Sequence, residues 1–493
     1  MKYRNPIIRG FNPDPSICRV GRDYYLVTST FEFFPGIPVY HSTDLVNWTQ
    51  IANVIDRPAQ LPFQHTPVGR GIWAPTIRFH QGRFYVTAKM MEFGNFIVSA
   101  EHPAGPWSDP VPVDMAGIDP SLLFDGGRAY YCTNMRGADN REAISLAEVD
   151  ADTGHLLSDV RQIWHGVAED RPQYLESPHI YHIGGWYYLM AAEGGTGYEH
   201  MITMARSRDI WGPYEDAPHN PLLTNRNHPG DSVACSGHGD LVEDADGSWW
   251  CVHLATRPDD LWYSHLGRET FLLPVSWREE WPCIADGKSA LCCEGPLVSP
   301  QQPRPVWTAD LSRQELCWLH LREPVEANYR FTPDALMLTP STVTLADPDG
   351  SPTLLAVRQP DVDCTAEAEL SFVPAQDGDE ADLTVFISCS GHYRFGVTRR
   401  NGQRMLLVEK SGDGFPPIAI PAEGGRIKLR IEAEKSKYTL SYALEDGIFR
   451  QAGVIPVLTR ADAGKCFTGT LIGLYAQCTA DTAAICEVHS FRI

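Results

Sequence analysis

Short apolar runs alternate with glycine-containing turns through the first 300 residues of the chain. The same order recurs five times: a polar or aromatic residue, a short apolar strand, a glycine turn, and a strongly aromatic strand. The five copies begin at Asp14, Trp73, Asp119, Glu176 and His238. Successive copies start 46 to 62 residues apart, which leaves room for about four short strands in each.

A repeat of this length is typical of a β-propeller, in which four-stranded sheets surround a central axis. Proline and glycine are spread throughout, and long stretches of helical periodicity are absent. We therefore predict an all-β domain over residues 1–300, folded as a five-bladed β-propeller. Because the innermost strand of each blade runs along the axis, the five leading residues should meet at one end of it.

The pattern changes after residue 300. Residues 295–305 carry four prolines and have the composition of a linker. Beyond them, apolar and polar residues alternate with a period of two, as in 367–373 and 428–432, between turns rich in glycine, aspartate and asparagine. This alternation predicts a β-sandwich over residues 306–493.

Composition narrows the choice of partner and compartment. The net charge of −21 argues against a nucleic-acid partner but is compatible with a neutral substrate. No segment reaches 18 uninterrupted apolar residues, so we expect no membrane span. The N-terminus has no apolar run, and the 13 cysteines form no CxxC pair. A cytoplasmic protein with reduced thiols fits these features best.

Three of the five leading residues are carboxylates: Asp14, Asp119 and Glu176. A single Asp-Pro-Ser is often only a turn, but three carboxylates at equivalent repeat positions favour catalysis. Glycoside hydrolysis needs two of them, and a third can raise the pKa of the acid by like-charge repulsion. The longer side chain of Glu176 suits the acid, although the residues alone do not order the three roles.

Five other residues are candidates for the same pocket. His238 would either donate a hydrogen bond or lie near a cation; no cofactor is required by the sequence, and Ca²⁺ held mostly by waters is the metal that would fit. Arg268 would hold sugar hydroxyls or lower the pKa of a carboxyl group, unless it forms a surface ion pair. Phe31, Trp73 and the neighbouring Phe33 would be platforms for a sugar ring, or else core residues.

Eight motifs together resemble glycoside hydrolase family 43, and in particular its β-xylosidase branch, which carries a C-terminal sandwich. They extend over most of the chain: Asn12-Pro-Asp-Pro-Ser, Thr28-Ser-Thr-Phe-Glu-Phe-Phe-Pro-Gly, His41-Ser-Thr-Asp-Leu-Val-Asn-Trp, Gly71-Ile-Trp-Ala-Pro, Ile118-Asp-Pro-Ser-Leu, Glu176-Ser-Pro-His-Ile-Tyr, Ala192-Glu-Gly-Gly-Thr and Leu266-Gly-Arg-Glu-Thr.

The resemblance implies a five-bladed propeller with a concanavalin-like sandwich and an inverting mechanism. It assigns Asp14 as general base, Asp119 as the residue that tunes and orients the acid, and Glu176 as general acid. It places Phe31, Trp73, His238 and Arg268 in the pocket. The segment from Cys466 resembles a sandwich loop that closes the pocket, so that Phe467 would reach the site as a fifth substrate-binding residue.

A closed pocket implies exo action, and inversion requires the carboxyl groups of Asp14 and Glu176 to lie about 6.5–9.5 Å apart. The expected reaction is release of terminal D-xylose from β-1,4-xylo-oligosaccharides. An α-L-arabinofuranosidase acting on arabinoxylan or arabinan fragments, an enzyme with both activities, an endo-acting enzyme and a non-catalytic carbohydrate-binding protein are the alternatives. The resemblance also leaves a homo-oligomer open.

Overall fold

The computed structural model describes residues 1–137, 140–167, 174–228, 230–259, 263–410, 413–414, 416, 418–420, 425–464, 467–480 and 484–493. Regular structure in these ranges is almost entirely β-strand. The helical segments there are the α-helix Arg460–Ala463 and the 3₁₀ turns Pro58–Gln60 and Glu326–Asn328. Within the same ranges, no helix is long and apolar enough to span a bilayer.

The described residues between 16 and 284 form five antiparallel sheets, one for each copy of the repeat. Sheet 1 comprises Ser16–Val20, Asp23–Val27, Gly36–Ser42 and Thr49–Ile55. Sheet 2 comprises Ile72–His80, Arg83–Met90, Gly94–Ala100 and Val111–Pro112. Sheet 3 comprises Ile118–Asp125, Arg128–Arg136, Glu142–Val149 and Arg161–Trp164. Sheet 4 comprises Glu176–Ile183, Trp186–Glu193, Met201–Ser207, Glu215–Asp216 and Leu223–Thr224; sheet 5 comprises Ala234–Glu243, Trp249–Thr256, Glu269–Arg278 and Trp281–Ile284.

The five sheets follow one another around a ring. The first strand of each sheet contacts the first strand of the next, and the first strand of sheet 5 contacts that of sheet 1. An apolar cluster fills the space between each pair of neighbouring sheets. Aromatic strands suit this arrangement because large rings fill the wedge between two twisted sheets, and Trp250 and Tyr131 are fully buried there.

A buried charged network joins three of the first strands. Asp240 of sheet 5 accepts hydrogen bonds from Arg78 of sheet 2 at 2.8 Å and from Tyr181 of sheet 4 at 2.6 Å. Arg78 also contacts His179 at 2.9 Å. Burial alone would raise the pKa of Asp240, but the guanidinium of Arg78 holds it well below its ordinary value. The network therefore fixes the spacing of the strands that carry the candidate site residues.

The sandwich consists of two further sheets. The first comprises Tyr329–Phe331, Leu336–Leu338, Cys486–Arg492, Cys364–Ser371, Ile427–Glu434, Lys437–Ala443 and Arg450–Pro456. The second comprises Thr353–Arg358, Leu471–Gln477, Glu380–Ser388, Gly391–Arg400, Gln403–Lys410, Asp413–Gly414 and Ile418–Ala419. The core between them is apolar, as the period-two pattern predicts. The backbone of Trp307 pairs with that of Ile493 and ties the two ends of this unit together.

The second sandwich sheet also packs on the propeller. Its outer face contributes Phe386, Leu471 and Tyr475 to an apolar cluster that includes Phe11 and Phe33 of the propeller. A two-stranded pairing of Phe33–Phe34 with His320–Leu321 crosses the same junction. A second short pairing, Lys2–Arg4 with Cys292–Glu294, lies beside the ring. The sandwich is thus seated directly against the segment that begins at Phe31.

Candidate active site

Local breaks in strand pairing aim the candidate residues away from the sheets. Asp14, Asp119 and His238 have positive φ angles of 55°, 52° and 47°, and Ser177, next to Glu176, has 55°. The pairing register shifts at residues 118–121, 176–179 and 237–239. Bulges of this kind bend a strand and redirect one side chain. The repeat therefore brings the residues to one place, and the bulges set their direction.

Asp14 is buried, with 4% of its surface exposed. Its Oδ1 accepts a hydrogen bond from Arg268 Nη1 at 2.7 Å, and its Oδ2 accepts one from Ser29 Oγ at 2.5 Å. His238 Nδ1 lies 3.6 Å from Oδ1. Burial is the largest single effect and would raise the pKa of Asp14, but the positive charge of Arg268, with smaller contributions from His238 and Ser29, outweighs it in sum, so the pKa falls. Asp14 is therefore ionised at neutral pH.

The pKa of Asp119 is shifted in the opposite direction, upwards. It is 7% exposed, and burial together with the negative charge of Asp14 raises its pKa to about 6. The charge of His238 opposes this rise. Asp119 Oδ2 accepts a hydrogen bond from the backbone N–H of Ser177 at 3.2 Å, which links it to the residue that follows Glu176.

Glu176 is strongly shifted towards its protonated form. Burial is the largest cause of the rise in its pKa, followed by the negative charges of Asp119 and Asp14. The site thus holds one carboxylate that stays ionised and one carboxyl group that keeps its proton. Two interacting carboxyl groups whose pKa values are separated in this way can serve as base and acid in one reaction.

Aromatic rings from both domains form one wall beside these groups. The rings of Phe31 and Phe467 stack at 5.8 Å between centroids, and Phe467 meets Trp73 edge-on at 5.4 Å. Trp73 is held by a hydrogen bond from Nε1 to the carbonyl of Gly69 at 3.2 Å. Phe467 is the most exposed of the three rings, at 36%. Cys466, the first residue of the loop motif, lies outside the described residues.

The close pairing of Phe31 with Ile72 depends on a glycine. Phe31 and Ile72 exchange backbone hydrogen bonds at 2.9 and 3.0 Å. Gly71 has a φ of 81°, and a Cβ there would lie 2.1 Å from the carbonyl oxygen of Phe31. Any side chain at this position would push apart the segments that carry Phe31 and Trp73.

Arg268 connects the base side of the site to the sandwich. Besides Asp14, it donates to Thr196 Oγ1 at 3.3 Å and to the carbonyl oxygen of Phe467 at 3.2 Å. Its guanidinium also lies 5.6 Å from the centroid of the Phe31 ring. A cavity of about 400 Å³ opens beside it, lined in part by Thr196, Arg268, Phe467 and Thr468. Arg268 therefore lies in the candidate site, and its ion pair with Asp14 is buried.

Of the two alternatives for Phe33, the structure supports a core residue. Phe33 is fully buried and packs against Phe11 and Phe386 at the junction of the domains, so it offers no ring face to a ligand. Ser29 and Thr196, which contact Asp14 and Arg268, were not predicted as site residues. Both lie in motifs that carried the family resemblance, and this was the one signal that could have identified them.

His238 and its neighbour His200 lie behind Asp14. Burial lowers the pKa of His200 to about 3, and its Nδ1 contacts the carbonyl oxygen of Cys235 at 3.0 Å. In the part of the chain that the structure describes, no three His, Cys, Asp or Glu side chains are grouped to hold a metal ion. A Ca²⁺ ion held mostly by waters near His238 stays a prediction.

Comparison with known proteins places this geometry in a family. The profile of the glycosyl hydrolases family 43 matches residues 3–282, and that of the β-xylosidase C-terminal concanavalin A-like domain matches residues 310–493. A non-reducing end α-L-arabinofuranosidase of Bacteroides ovatus is 41% identical, over 96% of this chain and 91% of its own length. A xylosidase/arabinosidase of Butyrivibrio fibrisolvens is 35% identical, over 99% and 98%.

A solved structure supports the same assignment. The xylan β-1,4-xylosidase of Bacillus halodurans superposes with a TM-score of 0.90 at 33% identity, and the match covers 99% of each chain. The all-β fold, with a catalytic propeller domain and a concanavalin-like sandwich, is therefore confirmed. This chain belongs to glycosyl hydrolase family 43 and is a glycoside hydrolase.

Proposed function

We propose that this enzyme releases single pentose units from the non-reducing ends of oligosaccharides by inverting hydrolysis. The observation that carries the proposal is that the pKa values of the two carboxyl groups are shifted in opposite directions. Arg268 keeps Asp14 ionised, while burial and two negative charges keep Glu176 protonated. In this proposal Asp14 is the general base, Glu176 the general acid and Asp119 the residue that tunes and orients the acid.

The chemistry follows from these protonation states. Asp14 takes a proton from a water molecule while the water oxygen attacks the anomeric carbon, on the face opposite the leaving group. The bond from the anomeric carbon to the glycosidic oxygen breaks, and Glu176 gives its proton to that oxygen. Asp14 and Glu176 then exchange protons with solvent. A separation of about 6.5–9.5 Å between the two carboxyl groups remains part of the proposal.

Exo action is supported by the contribution of the sandwich. Phe467 stacks on Phe31 and meets Trp73, so a sandwich residue covers the aromatic wall of the site. A pocket closed on this side would accept a chain end more readily than the middle of a polymer. The cavity beside Arg268 is large enough to take part of the leaving group.

Two pentoses are candidates for the released sugar. Terminal β-D-xylose is favoured by relatives named β-xylosidase, including one from Bacillus subtilis at 31% identity. Terminal α-L-arabinofuranose is favoured by the name of the 41% identical relative from Bacteroides ovatus. Suitably oriented, the two sugars present similar hydroxyl patterns, so one pocket can accept both.

Side-by-side kinetics on aryl β-D-xylopyranoside and aryl α-L-arabinofuranoside test the proposal. We expect measurable kcat/KM on both. A ratio of about tenfold or more between the two kcat/KM values, equal to about 1.4 kcal/mol in the transition state, would identify the preferred sugar. Early in digestion, xylohexaose labelled at its reducing end should yield free xylose and labelled xylopentaose, which is one unit shorter than the substrate. Early release of unlabelled xylobiose or longer unlabelled fragments would contradict exo action, and turnover of neither glycoside would contradict the proposed substrate class.

Replacing Arg268 by glutamine should move the acidic limb of the kcat/KM profile to higher pH by about one unit or more. Asp14 must be ionised to act as base, and the charge of Arg268 lowers its pKa. Loss of that charge raises the pKa, so activity is lost at a higher pH as the solution is acidified. Arg268→Lys keeps the charge and should shift the limb less. An unmoved acidic limb in Arg268→Gln would contradict the role of Asp14 as base.

A further inference from the structure

Glu176 lies between two residues whose backbones are held by side chains of sheet 3. On one side, the N–H of Leu175 donates to Glu142 Oε2 at 2.8 Å, and its carbonyl oxygen accepts a hydrogen bond from the Asn134 side-chain amide. On the other side, the N–H of Ser177 donates to Asp119. The Leu175 carbonyl belongs to the peptide bond that leads into Glu176. Both polar groups of Leu175 are thus fixed immediately before the proposed acid.

Glu142 is itself held in place. It is the first residue of the strand Glu142–Val149 and is paired with Arg136, the last residue of the preceding strand. Arg136 Nη2 donates to Glu142 Oε1 at 2.6 Å, and the Glu142 side chain is only 11% exposed. The Leu175 side chain is fully buried in the cluster between sheets 3 and 4. The hydrogen bonds of Glu142 and Asn134 to Leu175 form a clamp. This clamp joins two sheets and leaves the Leu175–Glu176 segment little freedom.

The clamp also brings a charge near Glu176. The ionisable groups that act on Glu176 are Asp119, Asp14, Arg268 and Glu142. Glu142 contributes a like charge, which favours the protonated form of Glu176, in addition to the larger effects of burial and of the two aspartates. One side chain thus combines a mechanical contact with an electrostatic one.

We propose that Glu142, together with Asn134, is a positioning residue for the general acid: it fixes the Leu175–Glu176 peptide so that the Glu176 carboxyl group faces the glycosidic oxygen. This inference rests on the proposed function, in which Glu176 is the acid. Neither residue needs to touch the substrate. An acid misplaced by a fraction of an ångström protonates the leaving group poorly, although binding and the attack of water are preserved.

The test uses leaving groups of different acidity on the same sugar. A phenyl glycoside needs protonation to depart, whereas a dinitrophenyl glycoside does not. Glu142→Ala should lower kcat/KM on the phenyl glycoside by about tenfold or more and change the dinitrophenyl value by less than about twofold. Glu142→Gln keeps an acceptor for the Leu175 N–H but loses the charge. It should stay within about threefold at its pH optimum, with the alkaline limb moved to lower pH.

Matched variants separate the outcomes. Glu148→Gln alters the same strand and a similar ion pair, with Arg128 at 3.3 Å, but lies six residues away from the clamp and should change neither quantity. The positioning role would be overturned if Glu142→Ala lost activity equally on both substrates while the alkaline limb of Glu142→Gln stayed unmoved. It would also be overturned if Glu142→Ala lost no activity on either substrate. Glu176→Ala is measured in parallel. If it keeps full activity on the phenyl glycoside, the proposed acid itself is wrong, which is a different failure.

Discussion

Replacing Glu176 by alanine should lower kcat/KM on a phenyl pentoside by about a thousandfold or more, because general acid catalysis supplies factors of about 10² to 10⁴. The loss should be much smaller on a dinitrophenyl pentoside, whose leaving group departs as an anion. The alkaline limb of the pH profile should disappear as well, since it reports loss of the proton from Glu176. Burial and the charges of Asp119 and Asp14 place that limb above the ordinary range of a glutamate.

The measurement is a pH series with both leaving groups, together with the melting temperature. Glu243→Ala is a suitable control, because Glu243 is an exposed residue at the far end of the first strand of sheet 5. Equal losses on the two substrates would contradict the assignment of Glu176 as acid. A large fall in melting temperature would instead indicate damage to the junction of sheets 3 and 4. In that case the same two leaving groups would be compared in Glu176→Gln, which keeps the size of the side chain.

Asp14→Ala should lower hydrolysis of both glycosides by a similar factor, about a thousandfold or more, because it removes the proposed base that takes the proton from water. The two carboxylate variants therefore differ in kind: loss of the acid depends on the leaving group, and loss of the base does not. Azide offers a sharper test. It attacks the anomeric carbon without giving up a proton, so it should restore turnover in Asp14→Ala and yield a glycosyl azide of inverted configuration.

The exposed turn residue Asp246 provides the control for that experiment, since Asp246→Ala should leave the rate unchanged with or without azide. Failure of azide to restore turnover, in a variant that still binds pentose, would argue against Asp14 as base. A glycosyl azide of retained configuration would contradict inversion and point to a covalent intermediate.

The sequence predicted the all-β fold and the meeting of Asp14, Asp119 and Glu176 because both depend on a repeat. A repeat makes equivalent positions symmetric, so residues far apart in the chain can be placed without knowing any contact. The direction of each side chain could not be read in the same way. It depends on positive φ angles at Asp14, Asp119 and Ser177, residue types that adopt ordinary extended backbone just as well.

The core position of Phe33 could not be chosen over a sugar platform for a similar reason. In Phe31-Glu-Phe-Phe the period of two suggests that Phe31 and Phe33 share a face, but the positive φ of Phe31 breaks the alternation. Phe33 then packs on Phe386, which belongs to the other domain. The clamp of Glu142 on Leu175 could not be predicted from the sequence either, because it joins a side chain to a backbone N–H across two sheets. Local patterning carries no signal for such a contact.

The hydrogen bond from Arg268 to the carbonyl oxygen of Phe467 has a consequence for how this protein can evolve. The group that sets the ionisation of the base is anchored by a main-chain atom of the other domain, so the anchor is independent of the side chain at position 467. Drift at that position can therefore reshape the wall that meets the sugar and leave the acidity of Asp14 untouched. Recombination that replaces the whole sandwich offers no such protection, since it exchanges the anchor and the wall at once.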